Sequence, residues 1–301
     1  MSTQEDDAAS IARLSLHDPA HFSVQHSQTL HRLVLLQHWN IAAGSRVLEL
    51  GCGQGDCTAV LAHAVDEQGH VVAVDPADLD YGSPYTLGQA QSHISQGPLG
   101  GRITWVQQSP LDYLQSPSLP PPADGGTQAF DAAVLAHSLW YFASPSLVLS
   151  TLKALKRHSK RLLLAEWSLA ASHPSAQPHV LAALAQGSLQ CRRGDGDGGD
   201  SNVRTVLGPK RIIELALEAG WQLNSETRVQ GGEGLLDGQW EVSACLSSSF
   251  QRDVEDCLGT GDEREREVVV ALRDACRASL EGVPGGRKGV RSMDVWVSDF
   301  A

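Results

Sequence analysis

The sequence predicts an α/β fold: a doubly wound, mostly parallel seven-stranded sheet, with helices before its first strand and a helical insertion before its last. Three observations carry this prediction. Val47-Leu48-Glu49-Leu50 is a short apolar run that stops against three alternate glycines, Gly51, Gly53 and Gly55. A buried parallel strand reads this way where it enters a tight turn beneath a ligand. A second run, His70-Val71-Val72-Ala73-Val74-Asp75, follows one βαβ repeat later and again ends in an acid. Strand and helix signals then alternate over residues 45–169.

In order, residues 1–10 are acidic and polar; they read as a disordered tail, unlike a signal or transit peptide. Residues 11–43 read as one or two helices, with Leu30, Leu33, Val34 and Trp39 near helical spacing and Gly44 as the stop. Five histidines fall here: His17, His21, His26, His31 and His38. For any one of them a surface or core-edge position is the ordinary reading. Residues 54–67 make the helix after the first strand, turning Val60, Leu61, Ala64 and Val65 to the sheet. A loop over 76–88 leads to a helix ending near 96, then to a third strand at 103–106 and a loop at 107–112. Prolines make 116–126 a surface loop.

The fourth strand, 130–136, runs into His137-Ser138-Leu139-Trp140-Tyr141-Phe142. A helix over 147–156, a strand over 161–169, a helix over 208–220 and a strand over 221–229 complete a core spanning 44–230. The insertion, 231–288, holds two helices near 244–257 and 263–280, and the last strand lies in 289–301. Three acids in Gly194-Asp195-Gly196-Asp197-Gly198-Gly199-Asp200 suggest calcium, but the twelfth position from Asp195 is Val206. The bidentate Glu of a calcium loop is missing, so this stretch reads as a solvated tether.

With 42% apolar and 19% charged residues, the 301-residue chain suits a soluble globular protein with a well-buried core. A net charge of −12 without a basic run argues against nucleic acid and anionic membrane surfaces as partners. No apolar stretch approaches the roughly 20 residues that span a bilayer. The six cysteines form no C-x-x-C pair and no zinc spacing, so no metal is expected. Free thiols place the protein in the cytosol.

The spacing of the glycines distinguishes two kinds of cofactor. A dinucleotide fingerprint, G-x-G-x-x-G, needs its third glycine at 56, where Asp56 stands. That disfavours a nicotinamide oxidoreductase. The run E-L-G-C-G-Q-G at 49–55 instead resembles motif I of the class I S-adenosylmethionine (SAM)-dependent methyltransferases, and Phe130-Asp131-Ala132-Ala133-Val134 has their F-D-x-x-V form. The resemblance covers about 40–230 and the last strand.

The resemblance implies that the last strand is antiparallel beside the fifth and that 11–43 is a lid. It implies SAM along the glycine turn, its amino-acid end near Glu49, Gly51 and Gly53 and its ribose on Asp75. Cys52, Gly55, Pro76 and Ala136 would line the same pocket. At the adenine edge the family often has an Asp after Gly. Gln108-Ser109 stands here instead, which leaves Ser109 or Asp112 as the substitute.

After the fourth strand, His137 is the candidate base, and a pocket-shaping role is the alternative. Trp140, Tyr141, Glu166, Trp167 and His26 are the candidate substrate contacts. No N-P-P-Y signature and no Asp/Asp/Asn metal triad is present, which favours a small-molecule acceptor, methylated on O, N, C or S, of secondary-metabolite type. A descendant that binds SAM without methylating is the competing reading. The insertion is a candidate cover over the site, together with the N-terminal helices, or instead a candidate homodimer interface.

Overall fold

A computed structural model describes residues 2–117, 119–122, 127–192, 203–258 and 263–301. Two helices precede the sheet, α1 (Ser2–Ala12) and α2 (Phe22–Trp39). The first corrects an expectation, since it lies largely where a disordered tail was expected. Ala8, Ile11 and Ala12 recur at helical spacing, and each is at most 1% exposed. That apolar stripe anchors α1 on α2, although the residues before it are acidic. α2 ends at Asn40, whose left-handed backbone and N–H bond to the Leu36 carbonyl (2.9 Å) close the helix.

The alternation runs β1 (Arg46–Leu50), α3 (Asp56–Ala64), β2 (His70–Asp75), α4 (Leu87–Gln96), β3 (Ile103–Gln107), α5 (Pro110–Gln115), β4 (Phe130–Ala136), α6 (Pro145–His158) and β5 (Ser159–Trp167). Next come α7 (Gln177–Gln190), α8 (Pro209–Glu218), β6 (Leu223–Val229), α9 (Asp237–Cys245), α10 (Ser248–Leu258), α11 (Glu263–Glu281) and β7 (Val295–Phe300). The strand order is β3-β2-β1-β4-β5-β7-β6, with β7 antiparallel to both neighbours and the other six strands parallel. The chain thus winds outward from β1 in one direction and from β4 in the other. The crevice between β1 and β4 is the place where such sheets bind ligands.

Four expectations change. The expected loop at 107–112 is cut short, because Ser109 caps a helix that Pro110 opens, α5. Among its described residues the insertion holds three α-helices, not two: α9 ends at Cys245, and Ser247 caps α10 by accepting the Phe250 N–H at 3.1 Å. The last strand is shorter than 290–300, since the Met293 N–H donates to His179 and the Asp294 carbonyl accepts from Ser168, outside the ladder. α7 was not expected from the sequence at all. The acidic stretch at 194–200 lies outside the described residues.

Val47, Leu48 and Leu50 of β1, Ala133 to Leu135 of β4 and Leu162 to Ala165 of β5 are all sealed in the main core. The insertion has a second core. Val242, Cys245, Val254, Val269 and Cys276 close against Ala182, Ala185 and Leu189 of α7. α7 is thus the wall on which the inserted helices rest.

Because α1 is packed, Ile11→Ala should lower unfolding stability by about 2–4 kcal/mol in urea titration. A change near zero would mean that the segment is unpacked in solution.

Candidate active site

The glycine turn leaves β1 through three residues with positive φ: Gly51 (80°), Gly53 (52°) and Gly55 (95°). Two of them are also crowded. A Cβ at Gly51 would lie 2.5 Å from the Ser138 Cβ, and one at Gly55 would lie 2.7 Å from the Trp105 ring. At Gly53 a Cβ would meet nothing within 4 Å, so the middle of the turn faces open space. Asp75 braces that point: Oδ2 accepts the Gly53 N–H (2.8 Å) and Oδ1 the Ala77 N–H (2.9 Å). Gln91 of α4 holds the other side by donating to the Gly53 carbonyl at 2.8 Å. Cys52 is buried within the turn, its thiol pushed up by burial and then by the Glu49 and Asp75 charges.

Glu49 is 1% exposed and accepts the Thr58 hydroxyl at 2.6 Å. Burial pushes its carboxyl up to about 7, against the bonds from Thr58 and Cys57 and the Arg32 charge, which pull it down. Ser109 is engaged as a cap: its hydroxyl donates to Asp112 Oδ2 at 2.7 Å and accepts the Asp112 N–H. Pro76 follows Asp75 directly, and Ala136 ends β4 opposite Ala165.

On the acceptor side, His137 takes a left-handed backbone (φ 55°) while its N–H still bonds the Ala165 carbonyl at 2.8 Å. Its Nε2 lies 2.9 Å from His31 Nε2, so one of the two nitrogens carries the hydrogen between them. Its Nδ1 is sealed, has no hydrogen-bond partner, and lies 3.8 Å from Glu166 Oε1. Trp167 stacks on the same imidazole, centroids 4.3 Å apart, and also contacts His179. Glu166 is 1% exposed and accepts the Leu139 and Trp167 N–H groups at 3.0 and 2.9 Å.

Two expected contacts are placed elsewhere. Trp140 is 3% exposed, and its indole N–H donates to the Leu207 carbonyl, which leaves no face open to an acceptor. His26 turns to α1, its Nε2 3.4 Å from the Glu5 carboxylate. The α2 histidine that meets His137 is His31, five residues on from His26, which burial holds well below the usual imidazole range.

The insertion adds groups that the sequence did not signal. Asp237 and Glu241 lie one turn apart on α9, within reach of one another. Asp237 accepts from Gln28 of α2 at 3.1 Å, and Glu241 accepts from Gln186 of α7 at 2.5 Å. Burial raises the Glu241 carboxyl, and so does the Asp237 charge. Tyr141 stands among them, half-exposed along its ring, its phenol pushed up first by burial of the hydroxyl end and then by the Glu241, Glu166 and Asp237 charges. Burial pushes His179 down to about 4, while Asp237 pulls it up. Neither Asp237 nor Glu241 has a cationic partner among the described residues.

Comparison with known proteins gives the family. The family model of protein-L-isoaspartate (D-aspartate) O-methyltransferase matches residues 15–115, which take in α2, the glycine turn and Asp75. Methyltransferases phomM' and phomM of Diaporthe leptostromiformis are each 30% identical to the chain over 282 residues, spanning 84% of it and 72% of their own length. The chain belongs to the SAM-dependent methyltransferases. A cyclopropane-fatty-acyl-phospholipid synthase-like protein from Lactobacillus casei shares 31% identity over the full length of both chains, with a TM-score of 0.77. The [4+2]-cyclase SpnF shares the fold alone, at 16% identity and a TM-score of 0.51. SAM is the cofactor of this methyltransferase, and methyl transfer is its activity.

The buried Glu49 predicts a pH effect on the free enzyme. Its folded pKa is about 7 against an ordinary value of 4.5, so it favours folding while protonated. That contribution, about 3 kcal/mol, is complete below the ordinary value and lost as pH rises through 7. Without cofactor, Glu49→Gln should therefore melt above the parent near pH 8, and the gap should close toward pH 4–5. Parallel Tm profiles would show that the carboxyl ionises without cost.

Proposed function

We propose that this methyltransferase acts on a small basic molecule and methylates it at an amine nitrogen. The observation that carries the reading is a group of carboxylates without cationic partners. Asp237 and Glu241 converge with Glu166 and Tyr141, with no Lys or Arg among the described residues to neutralise the first two. Half-buried carboxylates without counter-ions favour a ligand that brings positive charge. The same groups repel a carboxylate-bearing acceptor.

The fit to SAM rests on the turn. Gly53 leaves open space for a ligand against the main chain, and each Asp75 oxygen keeps a lone pair for a ribose hydroxyl after accepting its backbone N–H. Glu49, Gly51 and Gly53 are the proposed holders of the amino-acid end. Cys52, Gly55, Pro76 and Ala136 are the proposed walls. The Ser109 hydroxyl already caps a helix, so its part at the adenine edge is to keep α5 in place.

SAM supplies a sulfonium methyl that needs no further activation. The protein's task is to align the acceptor lone pair behind that methyl, to exclude water and to remove a proton. α2 and α9 are the proposed lid. A protonated amine must lose a proton before it can attack. His137 Nδ1 is the ring nitrogen free to receive it, with Glu166 3.8 Å away to balance the imidazolium and His31 bonded at the far nitrogen. Tyr141 and Trp167 are the proposed flanks of the acceptor.

The net charge of −12 supports a reading without nucleic acid. The six free cysteines support a cytosolic location, and among the described residues no helix is long and apolar enough to cross a membrane. Exposed Trp240 and Val268 on the inserted helices support a homodimer through 231–288.

Methyl-labelled SAM offered with amines, phenols and carboxylic acids should label the amines. Glu241→Gln should raise the amine KM about tenfold, with SAM affinity unchanged. Labelling confined to phenols or acids would overturn the amine reading. Separately, Asp75→Ala should weaken SAM by about 1–3 kcal/mol in calorimetry; unchanged affinity would place the ribose elsewhere.

A further inference from the structure

The side of α2 that meets the glycine turn is polar. Gln25, Gln28 and Arg32 recur in three- and four-residue steps, so they share one helix face. Gln25 Nε2 donates to Asp56 Oδ1 at 2.8 Å, which sets this face over the start of α3. One turn on, Gln28 accepts from Arg32 Nη1 through Oε1 and donates to Asp237 through Nε2. The carboxamide thus tethers the guanidinium to the inserted helix.

Arg32 is incompletely satisfied. Its Nε is sealed from solvent without a hydrogen-bond partner, and it has no carboxylate partner among the described residues. Its charge nevertheless reaches Glu49 and Cys57, beneath and beside the turn. A guanidinium with a sealed, unused N–H and no directly paired carboxylate is costly, and a bound anion would relieve it. The acceptor side is already acidic and does not call for an anionic acceptor. The donor does carry a carboxylate, at the end that lies nearest Glu49.

We propose that Arg32 receives the carboxylate of the SAM amino-acid end, held for it by Gln28. The assignment rests on the SAM reading and adds to it an anion subsite on the lid helix. A guanidinium fits a carboxylate through two parallel N–H bonds, and Nε with Nη is a matching pair. The ammonium and ribose are left to Glu49 and Asp75. The donor then bridges the core and α2.

Calorimetry on the full chain with SAM, decarboxylated SAM and 5′-methylthioadenosine tests this directly. Arg32→Met should weaken SAM about 10- to 100-fold, yet bind decarboxylated SAM within about twofold of the parent. The preference for SAM over its decarboxylated form should fall close to one. Retained binding of 5′-methylthioadenosine shows that the adenosine side is intact and the variant folded. Gln28→Met, which keeps the charge but removes its tether, should lower the same preference by a smaller factor. Equal losses for SAM and decarboxylated SAM in Arg32→Met, or an unchanged preference in both variants, would overturn the proposal. A parent that binds none of the three compounds would overturn the cofactor reading beneath it, and this subsite with it.

Discussion

The carboxyl edge of the sheet depends on how closely β4 approaches β1. The Ser138 hydroxyl donates to the Leu50 carbonyl at 2.8 Å, and at Gly51 no room remains for a Cβ. That contact forces the chain after β4 to turn sharply. His137 takes up the turn in a left-handed conformation, with its N–H still paired to β5. Its imidazole is thereby delivered between His31 and Glu166. The glycine turn and the acceptor groups are therefore two sides of one close approach. A bulkier residue at 51 disturbs both.

Charge at the site follows a single logic. Glu49, Asp75, Glu166, Asp237 and Glu241 gather around the carboxyl ends of the strands, and two of them are held above the ordinary carboxylate range by burial. Like charges gathered where cations are few disfavour one another. The sulfonium and ammonium of SAM, with the basic acceptor proposed above, are the complementary set. Functional sites often keep such strain, because bound ligands relieve it.

Much of this was legible in the sequence. Strands that end in acids and alternate with apolar helices need only local patterns, and Glu49, Asp75 and His137 stand where those patterns place them. The failures have physical causes. α1 was hidden because its polar opening masks an apolar stripe of three residues, Ala8, Ile11 and Ala12. His26 and His31 look alike in sequence, and only the packing angle of α2 decides which one meets His137. Ser109 reads as a free hydroxyl until Pro110 is recognised as the first residue of a helix. Asp237 and Glu241 come from an insertion whose placement depends on α7, an element without a sequence signal strong enough to predict it. The polar stripe Gln25, Gln28 and Arg32 has helical spacing, but in sequence it looks the same as a solvated helix face.

The packing of α1 onto α2 also bears on the timing of catalysis. The cover over the glycine turn is not a loose flap, because α2 is fastened to α1, to Asp56 and to Asp237. Lifting it exposes apolar surface and breaks several polar contacts at once, so opening is cooperative and infrequent. Under the lid role proposed above for α2, spent cofactor leaves through that opening, and a slow opening would hold back turnover.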